Sequence, residues 1–399
     1  LFLPTAQGPT LKLAIYRTSS IGDVVLATAL LDYLSKLKVD LHIYWLGRSP
    51  SVDLILESFP QIKVIRIPPG NQMNTPEIIG QLSEVHFFID LQTNFRSRLL
   101  ARAFRKAFRR PVYSADKQGL QRSRLIAEAM VFGRRRSLSK KAKTPQIFQF
   151  EMMLQPLIDA LTRQLPPDAL DDMKAYQAHP FLATNHDMGQ KPWQKELRFG
   201  AWIGVAPGAA HLTKKAPDEV FLGILQKVSE YRRHSQIDHS APLGIAFFGN
   251  QEDRKFSLRI IDRLGWEGPC LNLAGLLSLW ETTLGLKHLT VLLSNDSSLG
   301  HIAEAVNTPT AILFGPTVEG FGFAPRMEES RAFSMELGCR PCSKHGKSPC
   351  RYRDQLCFTG LPQDDIALFL LEKISNTANL DSPTDGPENN NPHATTGQT

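Results

Sequence analysis

Short apolar runs alternate along this chain with longer stretches whose apolar residues recur every three or four positions, a pattern of strands and amphipathic helices. In the first half Leu13–Tyr16, His42–Leu46, Lys63–Ile67 and Val85–Ile89 read as strands. Helices are expected between them at Val24–Leu37, Ser51–Ser58 and Pro76–Leu82. A second series has strands at Trp202–Val205, Leu243–Phe248, Thr290–Leu293 and Thr310–Phe314. Repeated strand–helix alternation predicts two α/β blocks, each a parallel sheet with helices on both faces. Gln146–Leu165 reads as one amphipathic helix before Pro166 and Pro167, and a polar, proline-bearing stretch follows. The domains expected are 11–170, a connection over 171–198, 199–360, and a closing helix over 361–375. Residues 376–399 are rich in Asn, Asp, Pro, Thr and Gly; with so few apolar groups to offset the entropy of ordering, they are expected to be disordered.

Composition adds little, but the distribution of charge adds a good deal. The 399 residues are 42% hydrophobic and 21% charged, ordinary for a globular protein. No apolar run reaches membrane-span length, and Leu1–Thr10 lacks the features of a signal peptide, so a cytoplasmic location is expected. Of the formal charge of +7, the window from Asn94 to Lys143 carries +14: 16 Lys and Arg against Asp116 and Glu128. Within it Leu100, Phe104 and Phe108 recur at helical spacing among Arg102, Arg105, Lys106, Arg109 and Arg110, predicting a basic amphipathic helix that ends before Pro111. Such a patch suits anionic lipid, a phosphorylated glycolipid or nucleic acid. No zinc finger, RNP-type aromatic motif or paired recognition helices accompany it, so a nucleic-acid partner is not expected.

Two strand–turn–helix junctions carry candidate chemistry. The strand ending near Leu293 runs into Ser294, Asn295, Asp296, Ser297 and Ser298, followed at once by a helix bearing His301. That arrangement places an anion at a helix N-terminus, where unpaired amides and the helix dipole converge. Near the N-terminus, Leu13–Tyr16 leads to Thr18, Ser19, Ser20, Ile21, Gly22 and Asp23. Gly22 allows close backbone approach, and Asp23 offers a carboxylate at the start of a helix.

Three stretches, SSIGDVV at 19–25, PGAAHLTKKAP at 207–217 and NDSSLGHIAEAVNTPTAILFGPT at 295–317, together resemble the ADP-heptose:lipopolysaccharide heptosyltransferases, glycosyltransferase family 9. The resemblance implies a GT-B fold, with two Rossmann-like domains facing across a cleft and the nucleotide on the C-terminal one. It also implies inverting, metal-independent transfer of heptose from ADP-heptose to a lipopolysaccharide inner-core acceptor, Kdo–lipid A. The protein would then be peripheral at the inner face of the inner membrane, and the basic window would meet an acidic acceptor.

Carried onto this sequence, the resemblance makes Asp23 the general base and Lys214 the cation that neutralises the leaving diphosphate. Thr213, Asp296, Ser297, Ser298, Leu299, Gly300 and His301 are the expected donor contacts, with Glu252 near the ribose. Ser20, Gly22, Arg96 and Arg98 are expected on the acceptor side. There are departures: Ser298 replaces a glycine, Ala210 a hydroxyl residue and Ala216 a tryptophan of the family pattern. They leave open another nucleotide sugar, a nucleotide-sugar epimerase, or a non-catalytic paralogue that binds nucleotide or lipid A. Cys339, Cys342, Cys350 and Cys357 cluster in a chain expected to be cytosolic, which suggests structural zinc, with no metal required for catalysis.

Overall fold

The computed structural model describes residues 10–380 apart from positions 38 and 128 and segments 70–72, 116–122, 124–125, 131–147, 166–169, 171–172, 174–175, 185–190, 235–241 and 344–345. The first block contains β1 (Thr10–Tyr16), α1 (Ile21–Ala27), α2 (Ala29–Ser35), β2 (Asp40–Gly47), α3 (Ser51–Ser58), β3 (Lys63–Arg66), α4 (Thr75–Gln81), β4 (Phe87–Asp90), α5 (Phe95–Phe108) and β5 (Val112–Ser114). α6 (Phe148–Gln164) and α7 (Pro192–Leu197) lead to the second. That block has β6 (Ala201–Ala206), α8 (Asp218–His234), β7 (Leu243–Phe247), α9 (Gln251–Leu264), β8 (Cys270–Asn272), α10 (Leu279–Lys287), β9 (Val291–Asn295), α11 (Ser298–Ala305), β10 (Thr310–Phe314), β11 (Arg331–Ser334), α12 (Leu356–Thr359) and α13 (Gln363–Leu380).

Both sheets are parallel, ordered β3-β2-β1-β4-β5 and β11-β10-β9-β6-β7-β8. Strand order reverses between β1 and β4 in the first and between β6 and β9 in the second. Loops leaving neighbouring strands at such a point diverge to opposite faces and open a crevice, the usual ligand position in this class of sheet. β1 ends in the Asp23 turn, β6 in the Lys214 loop and β9 in the Asp296 turn.

β9 is buried along its whole length and β1 from Leu13 to Tyr16, because central parallel strands are covered on both faces. One core, with Ala14, Tyr16, Phe88, Leu100 and Phe104, lies under α4 and α5. Another, with Val205, Phe221, Leu225, Leu293 and Leu370, lies under α8 and α13. A third runs without a break from Leu13, Ile15 and Val25 to Ile302 and Val306, so the two blocks share a core where α1 meets α11. Burying one such Leu or Phe contributes about 1.5–3 kcal/mol. The connecting segment stitches the same junction: Phe181 N–H donates to Thr28 Oγ1 at 3.0 Å and Leu182 N–H to the Ala305 carbonyl at 2.7 Å.

The expected helix over Val24–Leu37 divides into α1 and α2 at Thr28, whose hydroxyl donates to the Val25 carbonyl at 2.6 Å in competition with the backbone ladder. The basic helix stops two residues early, at Phe108, where Arg109 turns left-handed at φ 53°. The short strands β5, β8 and β11 had no run of alternating or continuous apolar residues to announce them. Residues 376–380, assigned to the tail by composition, continue α13; the remainder of the predicted disordered tail lies outside the described residues, as do 131–143 of the basic window.

Candidate functional site

Asp23 is the third residue of α1, with a side chain 16% exposed. Its Oδ2 accepts from Ser20 N at 3.0 Å, from Ser20 Oγ at 2.9 Å and from Arg17 Nη2 at 2.8 Å. Burial pushes the carboxyl's pKa upward, but the Arg17 charge and the Ser20 hydrogen bonds outweigh it and hold the group below the usual carboxylate range. Arg17 is itself buried and spans from Asp23 to the Leu91 carbonyl, its Nη1 donating at 2.5 Å. Ser20 was expected on the acceptor side, yet both its donors are directed at Asp23. Gly22 is buried against α11: a Cβ there would lie 2.8 Å from His301 Cδ2, so its missing side chain lets the two blocks close.

Lys214 ends a short 3₁₀ turn, Leu212–Lys214, after β6, and its Nζ lies 2.6 Å from Asp296 Oδ2. Asp296 is buried and also accepts from Thr317 Oγ1 at 2.7 Å. Asp296 was expected to help cradle phosphate; in the structure its carboxylate is paired with Lys214. The loop carrying Lys214 is braced from below. Asn295 Nδ2 donates to the Pro207 carbonyl at 2.7 Å, Ala216 N–H donates to Asn295 Oδ1 at 3.2 Å, and Lys215 pairs with buried Asp253 at 2.9 Å. From above, Thr213 Oγ1 donates to the Gly346 carbonyl. Gly346 has φ 75° and no room for a Cβ, which would fall 2.3 Å from Lys214 Cγ.

Ser297 precedes α11 but does not cap it; its hydroxyl lies 3.2 Å from Ser294 Oγ. The amides of the first turn, over Ser298, Leu299 and Gly300, therefore lack a side-chain cap and suit an anion. Gly300 has a packing role as well, since a Cβ would lie 2.6 Å from Ile312 Cδ1 on β10. His301 is buried, and burial keeps its imidazole neutral to lower pH than usual; the charges of Asp296 and Asp23 oppose that shift and Lys214 adds to it. One imidazole thus feels the carboxylate of the first block and the ion pair of the second.

Other expected residues lie apart from this cluster. Glu252 is exposed in the first turn of α9, where its N–H donates to Asn250 Oδ1 at 2.8 Å. Arg96 is half-buried and Arg98 exposed on α5; the cation that meets Asp23 is Arg17. Arg17, Asn295, Asp253 and Thr317 were not identified from sequence. Asn295 stood inside a quoted motif and Arg17 directly before Thr18, but nothing in their spacing marks a buried partner.

The expected zinc site is not found among the described residues. Cys339, Cys342, Cys350 and Cys357 are free and line one cavity of about 310 Å³ together with Arg340, Tyr352 and Met130. Among the described residues no group of three or more His, Cys, Asp or Glu is arranged to hold a metal ion. Burial raises the thiol pKa of Cys342, and that of Cys357 to about 12.

A carboxylate held ionised by Arg17, a cation at a strand end and uncapped helix amides converge at the junction of two parallel sheets. Such a set can take a proton on one side of a bond and receive a departing anion on the other. Among the described residues no helix is long and apolar enough to cross a membrane.

The family model described as glycosyltransferase family 9 (heptosyltransferase) matches residues 78–352. The chain is 40% identical over 75 residues to lipooligosaccharide heptosyltransferase 2 of Haemophilus influenzae, covering 18% of this chain and 22% of that protein. It is 32% identical over 96 residues to lipopolysaccharide heptosyltransferase 2 of Escherichia coli, 24% of this chain and 27% of that protein. The matches thus span about a quarter of the length of these curated relatives. In fold, the chain is similar to E. coli ADP-heptose lps heptosyltransferase II, with TM-score 0.60, 16% identity, and coverage of 92% of this chain and 100% of that one. It is likewise similar to a family 9 glycosyl transferase of Veillonella parvula, with TM-score 0.60, 15% identity, and coverage of 93% and 100%. An E. coli heptosyltransferase solved with ADP-2-deoxy-2-fluoro heptose has TM-score 0.54 at 14% identity, with coverage of 91% and 99%. The GT-B architecture expected from the sequence motifs is the architecture of these neighbours.

Proposed function

The chain belongs to glycosyltransferase family 9, the heptosyltransferases, and on that premise we propose that it transfers heptose from ADP-heptose to an anionic lipopolysaccharide inner-core acceptor, with inversion and without a metal. The observation that carries this reading is the convergence of Asp23 with the Lys214–Asp296 pair around His301, since each half alone has an ordinary structural explanation.

In this reading the acceptor hydroxyl approaches Asp23 and gives up its proton as its oxygen attacks the anomeric carbon. The bond from that carbon to the diphosphate breaks on the opposite face, and the leaving charge falls to Lys214 and the α11 amides. Lys214 exchanges Asp296 for phosphate when the donor binds, while Thr317 continues to satisfy the carboxylate. Arg17 keeps Asp23 ionised and oriented before the acceptor arrives. Lys214 supplies the positive charge that a metal would otherwise bring. His301 and Thr213 are assigned to the donor, Glu252 to the ribose, and Arg96 and Arg98 to acidic groups of the acceptor. A lipid-linked acceptor implies action at the cytoplasmic face of the inner membrane.

The experiment is ADP release from ADP-heptose with and without Kdo–lipid A, comparing wild type with Asp23→Asn. Acceptor-dependent release that falls about 10²–10⁴-fold in the variant is expected for loss of a general base. Tight ADP binding with no release from wild type, or full activity in Asp23→Asn, overturns the assignment.

A further inference from the structure

α5 turns Ser97, Leu100, Ala101 and Phe104 into the first block and presents a different chemistry outward. Phe95, Leu99, Arg102 and Lys106, spaced i, i+4, i+7 and i+11, fall on one stripe of the helix. Phe95 is 83% exposed and Leu99 46% exposed. The rest of that surface is cationic: Arg98, Arg102, Arg105 and Lys106 are all exposed, and α5 contains no acidic residue. A helix needing only solubility would carry polar groups of both signs where Phe95 and Leu99 stand. An apolar tip within a single-sign cationic face has two recurrent partners, anionic bilayers and nucleic acid. A phenyl ring can stack on a base, but the aliphatic Leu99 one turn along gains nothing from stacking and gains fully from an acyl environment.

We propose that the outward face of α5 docks on an anionic lipid bilayer, with Phe95 and Leu99 entering the boundary between headgroups and acyl chains and Arg102 and Lys106 meeting lipid phosphates. The inference rests on the transfer reading only in taking the acceptor to be lipid-linked, and it names the surface that brings the cleft to the membrane. The mechanical link is short. Buried Asp90 fixes the turn into α5, accepting from Gln92 N at 3.0 Å, Thr93 N at 2.8 Å and Ser97 Oγ at 2.8 Å. Gln92 Oε1 in turn accepts from Thr18 N at 3.1 Å, in the loop that leads to Asp23. A bilayer contact at Phe95 is therefore held in fixed register with the Asp23 turn.

The test is sedimentation of the full chain with vesicles of phosphatidylcholine, alone or with about one-third phosphatidylglycerol, for wild type, Phe95→Ser/Leu99→Ser and Arg102→Gln/Lys106→Gln. Wild type is expected on the anionic vesicles only, less so at high salt, and each double variant is expected to lose about tenfold or more in partitioning. Both variants should keep wild-type melting temperature because the substituted side chains are exposed, and Phe95→Ser/Leu99→Ser should keep wild-type ADP release with a water-soluble, deacylated acceptor. Equal binding by wild type and both variants, equal binding of wild type to neutral vesicles, or retention on RNA without vesicle binding overturns the proposal. Vesicle binding lost in the variants while no sugar is ever transferred sustains the docking surface and overturns the transferase reading instead.

Discussion

Lys214 Nζ and Asp296 Oδ2 lie 2.6 Å apart, with side chains only 16% and 6% exposed. The pair joins the loop after β6 to the turn after β9, and the proposed transfer requires Lys214 to leave this carboxylate for the departing diphosphate.

Replacing Lys214 with Met removes that cation. Turnover is expected to fall about 10²–10³-fold, the range for losing one preorganised group that stabilises transition-state charge. ADP affinity by calorimetry should weaken as well; unchanged turnover would remove Lys214 from the chemistry.

Arg17→Met addresses the charge state of Asp23. A carboxylate whose pKa is depressed in the fold contributes stability above its ordinary range, and loses it only as pH falls through the lowered value. Without Arg17, burial is left to raise the pKa, so the acid limb of the pH–rate profile should move to higher pH, and acid unfolding, followed by chemical denaturation, should begin at higher pH. An unmoved acid limb would separate Arg17 from Asp23.

Gly22→Ala is expected to destabilise by about 1–3 kcal/mol, as overpacking does, because its Cβ would be forced to within 2.8 Å of His301 Cδ2. Trimming the opposing ring in Gly22→Ala/His301→Ala should make the two effects less than additive in denaturant midpoints. Strict additivity would mean that α1 and α11 do not press on each other at this point.

His301 gives a further pH signature. Its pKa is lowered, so the unfolded chain takes up a proton that the fold refuses, and stability should decline as pH falls below about 6.5, the ordinary histidine value. His301→Asn should flatten that slope between pH 7.5 and 5.5 without abolishing it, since His86 and His288 are shifted in the same direction.

The cysteine loop is expected to be stable without zinc. Chelation should leave the melting temperature unchanged, and iodoacetamide near pH 8 should label Cys357 slowly, because burial holds its thiol pKa at about 12. Stoichiometric metal in the purified protein would reverse this reading.

By itself the sequence determined the two parallel sheets, the basic helix and the ends of the strands that bear Asp23, Lys214 and Asp296. These follow from local periodicity and from residues adjacent in the chain, so one-dimensional order suffices to find them. Only the tertiary structure decided which groups restrain one another. Arg17 meets Asp23 because the chain turns back over the start of α1, Gly22 meets His301 because α1 packs on α11 across 279 positions of sequence, and Asn295 braces Pro207 between neighbouring strands. It also decided that Ser20 serves Asp23, and that four clustered cysteines line one cavity. Spacing along a chain fixes which face a residue occupies; whether two side chains share a charge, a proton or a van der Waals contact depends on distances that close only when separate elements pack.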